Sequence, residues 1–173
     1  MKKRMAWRKR ILAVLTVILA LMSSRSLVSA DDDDLTRPTL RGLPGIHVMI
    51  SPLRLEIEQE GLTRARLQTR TESILQDAGI GVLSREKWFK AEGMPFLSVS
   101  ATVLKLEGTG GYAYHISLEL RQAVYLVRTR IQTYASTWSI GGIGICRSLD
   151  DVQAEVEEQM HRFVHAYSTV NPK

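Results

Sequence analysis

The stretch YAYHISLELRQAVYLV, Tyr112 to Val127, decides how this chain folds, because it reads as one long strand with two unlike faces. Its even positions are Tyr112, Tyr114, Ile116, Leu118, Leu120, Val124 and Leu126, interrupted by Gln122, while the odd positions open Ala113, His115, Ser117, Glu119, Arg121. A period of two with one apolar side is the signature of a half-buried strand in an antiparallel sheet. Something must cover that apolar side, and two amphipathic segments are available to do it.

The first spans Thr63 to Ala78, with Leu67, Thr71, Ile74, Leu75 and Ala78 on one helical face and Gly79 then Ile80 placed for a Schellman cap. The second follows Ser148, with Asp151 three positions on as a capping-box partner, and carries Val152, Val156, Met160, Phe163, Val164 and Tyr167 as one stripe before Asn171-Pro172 stops it. Between them Phe96 to Leu106 alternates, and Gly108-Thr109-Gly110-Gly111 joins it to the long strand as a hairpin. A second hairpin near Arg128 to Arg130 leads into a strand over Ile131 to Ile140. Upstream, Ile46 to Ile57 alternates with a parity switch at Ser51-Pro52, read as one interrupted strand, and Ile80 to Leu83 as a short strand. Ser84 to Phe89 reads as one helical turn, and Gly141 to Gly144 as a glycine-rich connection. The expected fold is α+β: a two-layer sandwich, a largely antiparallel four- to five-stranded sheet with two helices on one face, in the order β-α-β-β-β-β-α.

The formal charge of +5 suggests a nucleic-acid binder until the charges are located. Residues 1–30 hold seven of the 23 basic residues and none of the 18 acidic ones, so the remainder carries −2. The cationic run Lys2 to Arg10, the apolar run Ile11 to Met22 and the small residues Val28-Ser29-Ala30 have the anatomy of a secretory signal, with cleavage expected after Ala30. Twelve apolar residues fall short of the ~20 of a membrane-spanning helix, so no stable span is expected after cleavage. No nucleic-acid partner is expected once that segment is gone. A lipoprotein anchor is not expected either, since the chain's one cysteine is Cys146. Residues 31–44, with Asp31 to Asp34, Pro38, Gly42 and Pro44, are expected to be a disordered acidic leader, 45–170 a single domain and 171–173 a tail.

No motif implies catalysis or a cofactor. Ser84-Arg85-Glu86-Lys87 matches S-x-x-K, but the companion S-D-N and K-T-G elements are absent. Gly141 to Gly144 lies where backbone amides cradle phosphate, yet Asp150 and Asp151 would repel an anion. His161 and His165 stand four apart on the last helix, a metal-binding spacing without an evident third ligand. Ser98, Ser100, Thr102, His115 and Ser117 would gather on the sheet face away from the helices, with Trp138 extending it, as a platform for a partner.

In order of elements, from about Ile46 to Thr169, the layout resembles the small two-layer domains of bacterial envelope proteins such as the TolB amino-terminal domain and the lipoprotein LptE. Thr137-Trp138-Ser139 and the ending Asn171-Pro172-Lys173 are similar to those of small exported bacterial proteins. The leading expectation is a periplasmic, non-catalytic binding or assembly module with an envelope protein as partner, using sheet face or edge. The alternatives are an exported hydrolase or metal-binding enzyme built on Ser84 with Lys87 or on His161 with His165, and a carrier of an apolar ligand between sheet and helices.

Overall fold

A computed structural model describes residues 32–172; the expected signal segment lies outside them. The chain is α+β. Four strands, β1 (His47–Ile50), β2 (Phe96–Leu106), β3 (Gly111–Tyr125) and β4 (Gln132–Cys146), lie side by side in that order. β2, β3 and β4 are antiparallel neighbours, whereas β1 runs parallel to β2. The parallel pair follows from the connection, since only a long crossover returns the chain to the same end of the sheet. That crossover contains α1 (Leu55–Gln59), α2 (Arg64–Asp77) and α3 (Arg85–Trp88); the last helix is α4 (Leu149–Val170).

The period-two reading of β3 holds along its central length. Ile116, Leu118 and Leu120 are fully buried, and they face Leu97, Val99, Ala101 and Val103 of β2 and Trp138 and Ile140 of β4 on the same side. α2 contributes Leu67, Ile74 and Leu75 to this layer, and α4 contributes Val152, Val156, Met160, Phe163 and Ala166. Both helix boundaries are set by chemistry legible in the sequence. The Thr63 hydroxyl accepts from the Arg66 amide at 3.2 Å, and α2 ends in a Schellman motif, with Gly79 at φ 78° and the Ile80 amide donating to the Leu75 carbonyl at 2.9 Å. At α4 the Ser148 and Asp151 side chains cap each other's amides reciprocally, at 3.2 and 3.1 Å.

The expectation departs from the structure in four places. The interrupted first strand ends at Ile50, and Leu55–Gln59 is a helical turn with Ile57 buried and Leu55 exposed. Three alternating residues fit either period, and Glu56 and Glu58 favour the positive end of a helix. Ile80 to Leu83 makes a single parallel bridge, Ile46 to Val82, instead of a strand. Gly141 to Gly144 lies inside β4, which extends to Cys146. A Cβ on Gly141 would stand 2.5 Å from the Ile116 carbonyl oxygen, and one on Gly144 would strike the Tyr114 ring, so the glycines answer a close approach of β3 to β4 and not a turn. Residues 32–44, assigned by composition to a disordered leader, pack on the domain: Arg37–Leu40 forms a 3₁₀ turn with Leu40 fully buried.

Two polar clamps hold that segment. Asp32 accepts from the Trp138 indole at 2.9 Å and from Arg37 at 3.0 Å. Burial alone raises this carboxyl, but the Arg37 and Trp138 hydrogen bonds outweigh it and hold the group below its ordinary value. Asn171, just past α4, donates to the Leu40 carbonyl at 2.9 Å and accepts from the Gly42 amide at 2.8 Å. α2 and α4 are joined at their solvent side by the bidentate pair Arg70–Glu157, at 2.7 and 3.0 Å. The Arg70 hydrogen bond lowers the Glu157 carboxyl from 4.5 to about 2.

Two measurements check these contacts. Gly141→Ala pushes a methyl onto backbone that cannot yield, and is expected to lower the unfolding free energy in urea by about 1–3 kcal/mol; Gly81→Ala, whose methyl meets only Gly45 at an ordinary 3.8 Å, is expected to change it by less than about 0.5 kcal/mol. A carboxyl depressed by folding contributes stability that is present above its unfolded pKa and lost as pH falls towards the folded one. The urea midpoint of the parent chain is therefore expected to drop more steeply between pH 4.5 and about 2 than that of Arg70→Gln, the two converging at the acid end.

Candidate functional site: the uncovered sheet face

With both long helices on one side, the other face of the sheet is uncovered by any helix of comparable length among the described residues. Its rows follow from register. Ser98 of β2 stands opposite Glu119 of β3, Ser100 opposite Ser117, and Thr102 opposite His115; across the next strand, Glu119, Ser117 and His115 stand opposite Ser139, Gly141 and Ile143 of β4. Ser98, Ser100, Thr102, His115 and Ser117 are thus brought together as expected, in a small polar centre. Trp138 is not among them. It is fully buried on the helix side with its ring 5.1 Å from Phe163, because the irregularity between Leu120 and Arg121 shifts the register of β4 and resets which parity faces the core.

Apolar side chains surround this polar centre. At one end His47 stacks on Trp88 of α3 at 5.2 Å, Trp88 meets the edge of Phe96 at 5.7 Å, and Phe96 lies 6.1 Å from Tyr134. The Trp88 indole donates to the Met94 carbonyl at 2.7 Å, and the His47 ring lies 2.8 Å from the Leu83 carbonyl, so α3 is fastened over this corner. At the other side Ile143 and Ile145 of β4 are 58% and 77% exposed, too much for two isoleucines to be serving the core. No strand among the described residues pairs with the outer edge of β4. The face holds a depression of 190 Å³ lined by His115, Ser117, Gly141 and Ile143, below the ~300–1,000 Å³ of a small-molecule pocket. The surface suits a flat contact better than an enclosed ligand.

The other candidates fall elsewhere. Ser84 accepts from the Lys87 backbone amide at 3.3 Å, which makes it the cap of α3. His161 and His165 are both exposed on α4, in a groove shared with Asp32, Glu158 and Arg162. Asp32 there is already engaged by Arg37 and Trp138, Glu158 is paired with Arg162 at 3.5 Å, and no group of three metal-ligating side chains occurs among the described residues. Cys146 is half-buried, its thiol donating to the Ser148 carbonyl at 3.3 Å, and burial pushes its pKa up, away from reactivity. Glu60 accepts from both Lys105 and Tyr112, which together hold its carboxyl below the usual range. The layer where an apolar ligand would sit is occupied by Leu97, Val99, Ile116, Leu118 and Phe163. No helix among the described residues is long and apolar enough to cross a membrane.

The rim residues Ile143, Ile145 and Tyr134 escape a sequence reading that stops the last strand at Ile140. Carrying the alternation of Ser139 through the glycines would have placed Ile143 and Ile145 on the same face as His115 and Ser117.

No protein-family description matches the chain, and no curated protein does. Among solved structures, it is similar to a PelC dodecamer from Paraburkholderia phytofirmans at 17% identity and a TM-score of 0.45, over 77% of this chain and 93% of that one, a likeness too loose to assign a family. None of these findings bears on the resemblance to the TolB and LptE domains.

Proposed function

We propose that this chain is an exported envelope protein that acts as a non-catalytic binding or assembly module, using the uncovered sheet face and the free edge of β4. The observation that carries the reading is the pair Ile143 and Ile145, exposed beside the polar centre and along an edge that no strand among the described residues pairs with. Within the apolar rim, Ser98, Ser100 and Ser117 carry no charge and little side-chain entropy, and the one carboxylate of that row, Glu119, has Arg121 at 4.0 Å. Export accounts for the charge distribution: the cations outside the described residues are what a signal segment needs, and the rest of the chain is close to neutral.

Two experiments test this. On fractionation of producing cells, the chain is expected in the periplasm beginning at Asp31; a cytosolic chain retaining Met1 removes the envelope reading. A photocrosslinker at Ser100 is expected to give a discrete protein adduct in intact envelopes that disappears in Ile143→Glu/Ile145→Glu, a variant whose stability should move by less than about 0.5 kcal/mol per exposed site. An adduct that persists at full yield in the double variant overturns the assignment of this face.

A further inference from the structure

The β3–β4 hairpin continues past the sheet. β2 ends its pairing at Arg121, and the four pairs from Gln122–Ala135 to Tyr125–Gln132 have no other strand beside them among the described residues. At about 3.4 Å per residue this two-stranded ribbon projects roughly 14 Å. Its root is braced by the Ala123 amide, which donates to the Gly93 carbonyl at 2.7 Å, and its end is closed by Leu126 to Ile131 and Arg130 to Leu126 backbone bonds at 3.0 and 2.8 Å.

The tip has the wrong composition for a hairpin that only turns in water. Residues 125–131 read YLVRTRI, with no glycine, asparagine, aspartate or proline, the residues that make turns cheap. Arg130 takes the left-handed conformation, φ 58°, that a glycine would adopt without strain. Tyr125 is 67% exposed, Val127 89% and Ile131 58%, with Leu126 beside them. Arg128 and Arg130 are exposed between these side chains, with no carboxylate bound to either among the described residues. Residues 120–149 contain no Asp or Glu at all; Glu92 lies beside Gly93 at the ribbon's root and Glu119 on the sheet.

We infer that this tip docks on an anionic phospholipid surface, with Tyr125, Leu126, Val127 and Ile131 entering the headgroup boundary and Arg128 and Arg130 pairing with lipid phosphates. The four apolar side chains are exposed at the closed end of a two-stranded ribbon, so a deformable surface takes them all at once, whereas a protein would need a socket of matching shape. Arginine stems lie along apolar surface while their heads stay at phosphate level, and tyrosine favours the same depth. This surface uses neither Ile143 nor Ile145, so it stands or falls separately from the sheet-face reading.

The test places an environment-sensitive fluorophore at Val127→Cys in the full chain with Cys146→Ser, and a control label at Thr109→Cys in the hairpin at the opposite end of β3. The label at 109 separates contact by the tip from tethering through the amino-terminal segment, which brings the chain to the vesicle without favouring one end of β3. On phosphatidylglycerol-containing vesicles, position 127 is expected to shift to the blue and be quenched by brominated lipid while position 109 is not. Arg128→Gln/Arg130→Gln is expected to weaken that response about thirtyfold, the surface-potential contribution of two arginines, and neutral phosphatidylcholine vesicles to weaken it similarly. A label at 127 that stays in water on every vesicle overturns the inference, as does equal quenching at 109 and 127. A discrete protein adduct from a photocrosslinker at 127, with no vesicle response, assigns the tip to a protein socket and also overturns it.

Discussion

The structure depends on keeping one side of β3 out of water. Ile116, Leu118 and Leu120 are each fully buried, at about 1.5–3 kcal/mol of transfer free energy per such side chain. Exposed ion pairs such as Arg66–Asp150 contribute about 0–1 kcal/mol and cannot replace them. Since the opposite positions of β3 are Ser117, Glu119 and Arg121, only one face has to be covered, and one layer of helices is enough. That asymmetry leaves the other face available.

Covering the sheet is not left to the two long helices alone. The buried indole of Trp138 has an N–H that must find an acceptor, and Asp32, far away in sequence, supplies it. The carboxylate in turn needs a cation, which Arg37 provides. Asn171 repeats the device at the end of α4, satisfying the Leu40 carbonyl and the Gly42 amide with one side chain. Residues 32–44 are thus held by Leu40, which is buried in the core, and by these polar clamps, neither of which shows as a periodicity in their own sequence.

This explains which parts of the fold were legible in advance. Elements with a repeating apolar face, β2, β3, α2 and α4, declare themselves, and their ends are marked by Thr63, Gly79 and Ser148. What escapes is whatever depends on a distant neighbour. Composition makes Asp32 to Pro44 a leader because Trp138 and Asn171 are invisible from there. Gly141 to Gly144 reads as a connection because the cause of those glycines, the Ile116 carbonyl and the Tyr114 ring, lies on another strand. The polar centre of the candidate site is legible from parity on β2 and β3, its apolar rim lies on β4 beyond the glycines, and the face that Trp138 takes is set by a register irregularity that no local pattern announces.

The glycine run therefore links stability to surface. Without side chains at 141 and 144, β4 can lie close enough to β3 for Tyr114 to cover its backbone, and the strand runs on to Cys146. Continuing the strand is what carries Ile143 and Ile145 out to the rim, on the edge that has no neighbouring strand among the described residues. Their exposure is then a consequence of extending β4 and has no function in the core, which is complete without them. A long, apolar, uncharged edge is the arrangement that soluble domains usually blunt with lysine, proline or a bulge, and between Ser139 and Cys146 this strand has none of the three. Retaining it is costly for a protein that stays alone and useful for one that meets a partner there, which is why the open face and its edge, and not any cluster of titratable groups, are the features on which a function for this chain is best built.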